Sequence, residues 1–337
     1  MAETMQAWQC ATPGTFESVF QLSQTPKPTP QSLKPGQILV QVSRAALNPA
    51  DYKIIELGIT SRALTSYPKT PGMDLSGRVV AVAPDVTDAK EGDRILARAN
   101  PLKAFGSLAE YTVVDKEGYS VLDDKVDLDQ AAGVGTAGLT AYQSIQPYVK
   151  SGDKVFINGG SGGVGLWGIQ IAKALGCHVT VSCSTGKADL CKSLGADDII
   201  DYKTSDVMTE LRKRGQVFSV CADNVGNSPP DLYGSSNDFL LPGSSYVFVG
   251  GHVSPRSFLS LSTNIARPSF LGGVKTKFVA YMTVNKSKDL NQLRDWMSEG
   301  KVKTIVDSTF GFKEADKAFE QLKKGSSGGK IIVRFEE

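Results

Sequence analysis

Cysteine is scarce in this chain: Cys10, Cys177, Cys183, Cys191 and Cys221 are all there are among 337 residues, and no two form a CxxC pair. An odd number spread so thinly argues against a disulfide framework and implies a reducing compartment, the cytoplasm. Histidine is scarcer, with only His178 and His252. No apolar stretch approaches the roughly 20 residues needed to cross a bilayer, and the opening MAETMQAWQC has no basic region followed by an apolar run. No membrane partner and no leader are expected. Lysine and arginine total 37 against 35 acidic residues, a formal charge of +2 with no basic block, so the electrostatic footprint of a nucleic-acid binder is missing. Low complexity is confined to Gly325-Ser-Ser-Gly-Gly329. With 41% hydrophobic and 21% charged residues, the chain is long enough for two domains and fits a globular protein with a small-molecule ligand.

The texture changes along the chain. Residues 1–125 carry short β-branched runs, Ile38-Leu-Val-Gln-Val42 and Arg78-Val-Val-Ala-Val82, punctuated at Pro35-Gly36, Pro71-Gly72 and Glu91-Gly92-Asp93, which predicts a small, mostly β domain. From 126 onward apolar runs alternate with helical periodicity. Strands are expected at Lys154–Asn158, His178–Ser182, Asp198–Ile200, Val217–Cys221 and Ser245–Val249, and helices at 163–176 and 187–194. Strand, helix, strand at this spacing predicts parallel βαβ units and an α/β, doubly wound sheet. Helices over 288–300 and 313–324 and a strand at Lys330–Arg334 close the chain.

The segment Asn158-Gly-Gly-Ser-Gly-Gly-Val-Gly165 follows an expected strand and opens an expected helix, and Gly160, Gly162 and Gly165 fit G-x-G-x-x-G. Glycine there lets the backbone turn tightly and approach a pyrophosphate, whose charge faces a helix N-terminus. Gly160, Ser161, Gly162, Gly163, Val164 and Gly165 are therefore candidate cofactor contacts; the alternative is a glycine-rich turn without a ligand. A carboxylate usually ends the second strand of an NAD site, but this chain reads Val181-Ser-Cys-Ser-Thr-Gly-Lys187, with no acid until Asp189. Ser182, Ser184 and Lys187, with Tyr202 after the third strand, offer hydroxyls and a cation to a 2′-phosphate. NADP(H) is the expected cofactor.

Several collinear motifs accompany the loop: Ala46-Leu-Asn-Pro-Ala-Asp-Tyr-Lys53, Pro71-Gly-Met-Asp-Leu-Ser-Gly77, Glu91-Gly-Asp-Arg94, Gly106-Ser-Leu-Ala-Glu-Tyr111, Ala137-Gly-Leu-Thr-Ala-Tyr142, Leu194-Gly-Ala-Asp197 and Gly329-Lys-Ile-Ile-Val333. With them the chain, from about residue 35 to its end, resembles the zinc-free branch of the medium-chain dehydrogenase/reductase superfamily, with its quinone oxidoreductases and 2-alkenal or oxoene reductases. The resemblance implies a GroES-like catalytic domain from both chain ends, 1–125 with 269–337, and a Rossmann domain at 126–268. It places Asn48, Tyr52 and Lys53 near the nicotinamide as candidate donors to a substrate oxygen, and Thr136, Asn224 and Gly250 along the cofactor. Zinc alcohol dehydrogenases of the superfamily have Cys where this chain has Asn48, and Gly-His-Glu where it has Gly72-Met73-Asp74. No metal is expected on that ground.

The implied activity is NADPH-dependent reduction of the C=C bond of an α,β-unsaturated carbonyl, or of a quinone. Two alternatives stay open: an enoyl reductase acting on a polyketide or another secondary-metabolite intermediate, and an NADPH-binding structural or regulatory protein. The segments 54–66 and 252–285, expected to shape the pocket, carry no pattern that names a substrate. The Lys277–Tyr281 strand could join two copies into a homodimer.

Overall fold

A computed structural model describes residues 3–251 and 254–336. The chain divides into two compact units, 1–139 with 284–337, and 140–283.

The first unit is built on a seven-stranded sheet in the order Val306–Gly311, Lys330–Arg334, Gln37–Ala46, Asp74–Val82, Arg94–Arg98, Tyr119–Val121, with Tyr111–Asp115 also pairing to Gln37–Ala46. The period-2 pattern of the early strands explains it: Ile38, Val40 and Val42 share one face and enter the core with Leu75, Val79 and Ile95. At Glu91-Gly92-Asp93 the chain turns through Gly92 at φ +90°, a conformation side chains disfavour. The strand Lys330–Arg334 lies between Val306–Gly311, to which it is parallel, and Gln37–Ala46, to which it is antiparallel. Ile331 and Val333 drive that return by burying in the core of the first unit. A two-stranded ribbon, Thr4–Cys10 with Phe20–Pro26, completes the strands.

The second unit is a six-stranded parallel sheet in the order Asp198–Asp201, His178–Cys183, Lys154–Asn158, Phe218–Asp223, Leu240–Phe248, Lys277–Ala280. Its inner strands Lys154–Asn158, His178–Cys183 and Phe218–Asp223 are buried on both faces, which is why they read as continuous apolar runs: Val155 and Ile157 pack into one cluster and Phe156 into another. The chain starts in the middle, winds outward through His178–Cys183 and Asp198–Asp201, then crosses back to Phe218–Asp223. The order therefore reverses between Lys154–Asn158 and Phe218–Asp223, and their carboxyl ends define a switch point of the kind where α/β sheets bind ligands.

The unit boundaries, at 139/140 and 283/284, differ from the expected 125/126 and 268/269. The strand Lys277–Ala280 extends the parallel sheet, with Tyr246 opposite Phe278. The helix Leu128–Ala132 belongs to the first unit, tied by Ser76 Oγ donating to Leu128 O at 2.7 Å and by the Arg44–Asp129 ion pair at 2.8 Å. All five cysteines are free and buried. Among the described residues no helix is long and apolar enough to cross a membrane.

Candidate cofactor site and reaction centre

In the second unit the glycine loop links the strand Lys154–Asn158 to the helix Gly163–Ala174. Gly159, Gly160 and Gly165 are there for space, and a Cβ on Gly159 would stand 2.7 Å from Val225 Cγ2. A Cβ on Gly165 would stand 2.2 Å from Gly159 O, and one on Gly160 would stand 2.6 Å from Val181 Cβ, whereas a Cβ on Gly163 would meet nothing within 4 Å. The loop thus packs tightly against its own sheet and leaves its other side open. Gly162, the N-cap, has no side chain to satisfy the first-turn N–H groups, which leaves them for an anion.

At the end of the second strand, Ser182 is 2% exposed; its hydroxyl donates to Asn158 Oδ1 at 2.6 Å and accepts the Gly159 N–H at 2.9 Å. Ser184 precedes the turn Thr185–Lys187, and its hydroxyl caps nothing there. Lys187 is partly exposed, and its ammonium makes no hydrogen bond or ion pair with the described residues. Tyr202 is half exposed, with its N–H donating to Cys183 O at 3.1 Å and the Lys203 ammonium 5.5 Å from its ring centre. Ser184, Lys187 and Tyr202 are thus brought to one strand end. A carboxylate that the sequence order had hidden sits beside them: Asp201 accepts from the Thr185 hydroxyl at 2.5 Å and the Lys203 N–H at 2.9 Å, bonds that hold its pKa below the ordinary value.

Across the switch point, Asp223 ends its strand fully buried. Its carboxylate accepts from Asn158 Nδ2 (2.9 Å), the Val225, Gly226 and Asn227 N–H groups (3.0, 3.3 and 2.5 Å) and the Tyr246 hydroxyl (2.6 Å). The Asn224 N–H donates to Asn158 O at 3.1 Å, while its buried Oδ1 has no hydrogen-bond partner. An orphaned acceptor beside an open glycine cradle fits a ligand bearing hydroxyl or amide donors. Gly250, at φ +146°, is open, and the adjoining Gly251 packs against Val225. His252 lies outside the described residues.

In the first unit, Asn48 caps the helix Pro49–Glu56, and Asp51 reaches back to its N–H at 2.7 Å. The Asn48 side chain is 5% exposed. Its amide donates to Asp74 Oδ2 (2.9 Å) and Ala46 O (3.3 Å), and its Oδ1 accepts from the Lys330 ammonium at 2.7 Å. Lys330 also donates to Asp74 Oδ2 (3.1 Å) and Leu47 O (3.0 Å). The other Asp74 oxygen accepts from the N–H and hydroxyl of Thr136, at 2.7 and 2.6 Å, and Arg98 Nε donates to that hydroxyl at 3.1 Å. Asn48 and Thr136 are therefore two ends of one buried network. Tyr52 is held elsewhere: its ring meets Phe16 edge-on and lies 4.6 Å from the Lys323 ammonium, and burial pushes its phenol pKa up. Lys53 is exposed. The structure does not gather Asn48, Tyr52 and Lys53 into one cluster. A separate cleft of about 430 Å³ in the same unit, lined by Glu3, Lys27, Tyr111 and Phe312 among others, contains none of these residues.

Residues 34–124 match the family model described as the alcohol dehydrogenase GroES-like domain, and residues 194–333 match one described as zinc-binding dehydrogenase. A trans-enoyl reductase, pgmF of Aspergillus terreus, is 42% identical, across 99% of this chain and 97% of its own length. The chain belongs to the medium-chain dehydrogenase/reductase superfamily. Within it, 2-methylene-furan-3-one reductase of Solanum lycopersicum is 30% identical across 98% of this chain and 79% of that protein. The quinone oxidoreductase from Coxiella burnetii superposes with a TM-score of 0.83 at 29% identity, covering 99% of this chain and 100% of that one. These matches place the protein in the quinone oxidoreductase-like branch, as an oxidoreductase using a nicotinamide cofactor.

Sequence reasoning passed over Lys330 and Asn158 in this medium-chain oxidoreductase; the one signal for Lys330 was a lysine opening an otherwise apolar strand. Among the described residues no three His, Cys, Asp or Glu side chains come together as metal ligands.

Proposed function

We propose that the protein is an NADPH-dependent reductase of the C=C bond of an α,β-unsaturated carbonyl, acting without zinc. The observation that carries the reading is the open glycine cradle at the switch point, with Lys187 and two hydroxyls at the neighbouring strand end, in a chain related over its whole length to an enoyl reductase. When bound, the nicotinamide supplies the hydride. The phenol of Tyr52 and the ammonium of Lys53, neither bonded to a described residue, are the assigned donors to the substrate oxygen or the proton source. One such donor is worth roughly 2 to 4 kcal/mol where negative charge develops. Asn48 has its amide hydrogens engaged by Asp74 and Ala46, so its assigned part is to hold Asp74 and the Lys330 ammonium in place rather than to donate. Zinc independence is supported by the Lys330 ammonium, which already lies between Asn48 and Asp74. Thr136, Asn224 and Gly250 keep their assignment along the cofactor.

A second reading, that the C=C bond belongs to a polyketide or related biosynthetic intermediate, is favoured by the 42% identity to the Aspergillus enzyme against 30% to the tomato one. NADPH oxidation is to be followed with a simple enone, a quinone and an enoyl thioester, with product analysis. Saturation of the C=C bond with the carbonyl retained is expected, and a faster thioester selects the biosynthetic reading. Reduction of the carbonyl to an alcohol would overturn both, and tight NADPH binding with no turnover on any substrate would make this a binding protein.

A further inference from the structure

The Ser182 hydroxyl has one proton, and it is donated to Asn158 Oδ1. Phosphate oxygens are acceptors, so this hydroxyl has nothing to offer a 2′-phosphate while that bond stands. Its lone pair instead receives the Gly159 N–H, and the Ser182 carbonyl receives the Gly160 N–H at 2.8 Å. Asn158, oriented by Ser182, donates to Asp223 Oδ1 and to Ser228 O at 2.7 Å. Asp223 is fixed in turn by the Tyr246 hydroxyl and the 225–227 amides. One continuous buried chain of hydrogen bonds therefore runs from the core of the sheet through both sides of the switch point into the glycine loop.

We propose that Ser182 is a positioning residue of the pyrophosphate cradle, locked through Asn158 to Asp223. The end of its strand then serves the part of the cofactor common to NADPH and NADH, and choice of the 2′-phosphate falls to Ser184, Lys187 and Tyr202. This rests on the NADP(H) reading above and refines it. A hydroxyl that touched the 2′-phosphate would act on NADPH alone; one that shapes the loop acts on both cofactors equally.

The test is titration of NADPH and NADH, by nucleotide fluorescence, against the wild-type protein, Ser182→Ala, Tyr246→Phe and Lys187→Ala. Ser182→Ala is expected to weaken both cofactors by one common factor of about two- to tenfold, the effect of one net hydrogen bond. Tyr246→Phe removes a hydroxyl without changing the ring, and should shift both in the same direction should the Ser182 variant not fold. Lys187→Ala should weaken NADPH alone. A purely structural role would lower the thermal midpoint yet leave the affinity of the folded protein in place. Selective loss of NADPH in Ser182→Ala, or no change in either affinity, overturns the proposal. A wild-type protein that binds neither cofactor overturns the cofactor reading itself, and this inference with it.

Discussion

The Asp51 carboxyl sits in the first turn of the helix Pro49–Glu56, one oxygen bonded to the Asn48 N–H and the other without a partner. Burial, and then the nearby Asp74 carboxylate, push its pKa from 3.8 up to about 7. Because the folded value lies above the ordinary one, the stability this group contributes is complete below about pH 4 and is lost as pH rises through 7. Asn keeps an acceptor for the Asn48 N–H and cannot ionise. Urea unfolding of Asp51→Asn and wild type from pH 4 to pH 8 should therefore show the variant gaining relative stability with pH, by about 1 to 3 kcal/mol. A difference independent of pH would show that Asp51 is ionised throughout. Nothing along the chain announces this titration, since it depends on the Asp74 carboxylate and the protein interior that the fold sets around Asp51.

The glycine loop divides one motif into positions with opposite expectations. Gly165→Ala drives a methyl into Gly159 O, a contact that cannot be relieved without moving backbone, and should cost about 1 to 3 kcal/mol in denaturant unfolding. Gly163→Ala enters open space at the first helical position and should leave stability unchanged or raise it by up to about 1 kcal/mol. It should nonetheless weaken NADPH, because the added methyl occupies the open side of the cradle. If the Gly163 variant binds NADPH as well as wild type, the pyrophosphate does not approach there. The strands and helices around the loop were legible because apolar runs flank it on schedule: the expected helix at 163–176 is Gly163–Ala174, and the expected strand at His178–Ser182 is His178–Cys183. The strand Lys277–Ala280 was legible as a strand, but nothing in four residues tells which sheet they join.

At the scale of the whole chain, the glycine loop lies in the unit 140–283 and the Asn48–Asp74–Lys330 network in the other. Zinc dependence tests the second. With an ammonium already bonded to Asn48 and Asp74, elemental analysis of the purified protein should find no stoichiometric zinc, and a chelator should leave NADPH-dependent turnover intact. Stoichiometric zinc with activity lost on chelation would show that Lys330 does not stand in for a metal.

The sequence by itself determined the α/β class, the order of strands and helices around the glycine loop, and the absence of an acid between Val181 and Lys187, because these depend on periodicity and on neighbours along the chain. Only the tertiary structure decided what those residues do with their hydrogen bonds. It brings Lys330 to Asn48 across 282 residues and Asp201 to Thr185, and it turns Ser182 inward to Asn158. A hydroxyl, an amide or an ammonium has few donors and acceptors, and whether any is left for a ligand depends on which distant groups the fold sets beside it.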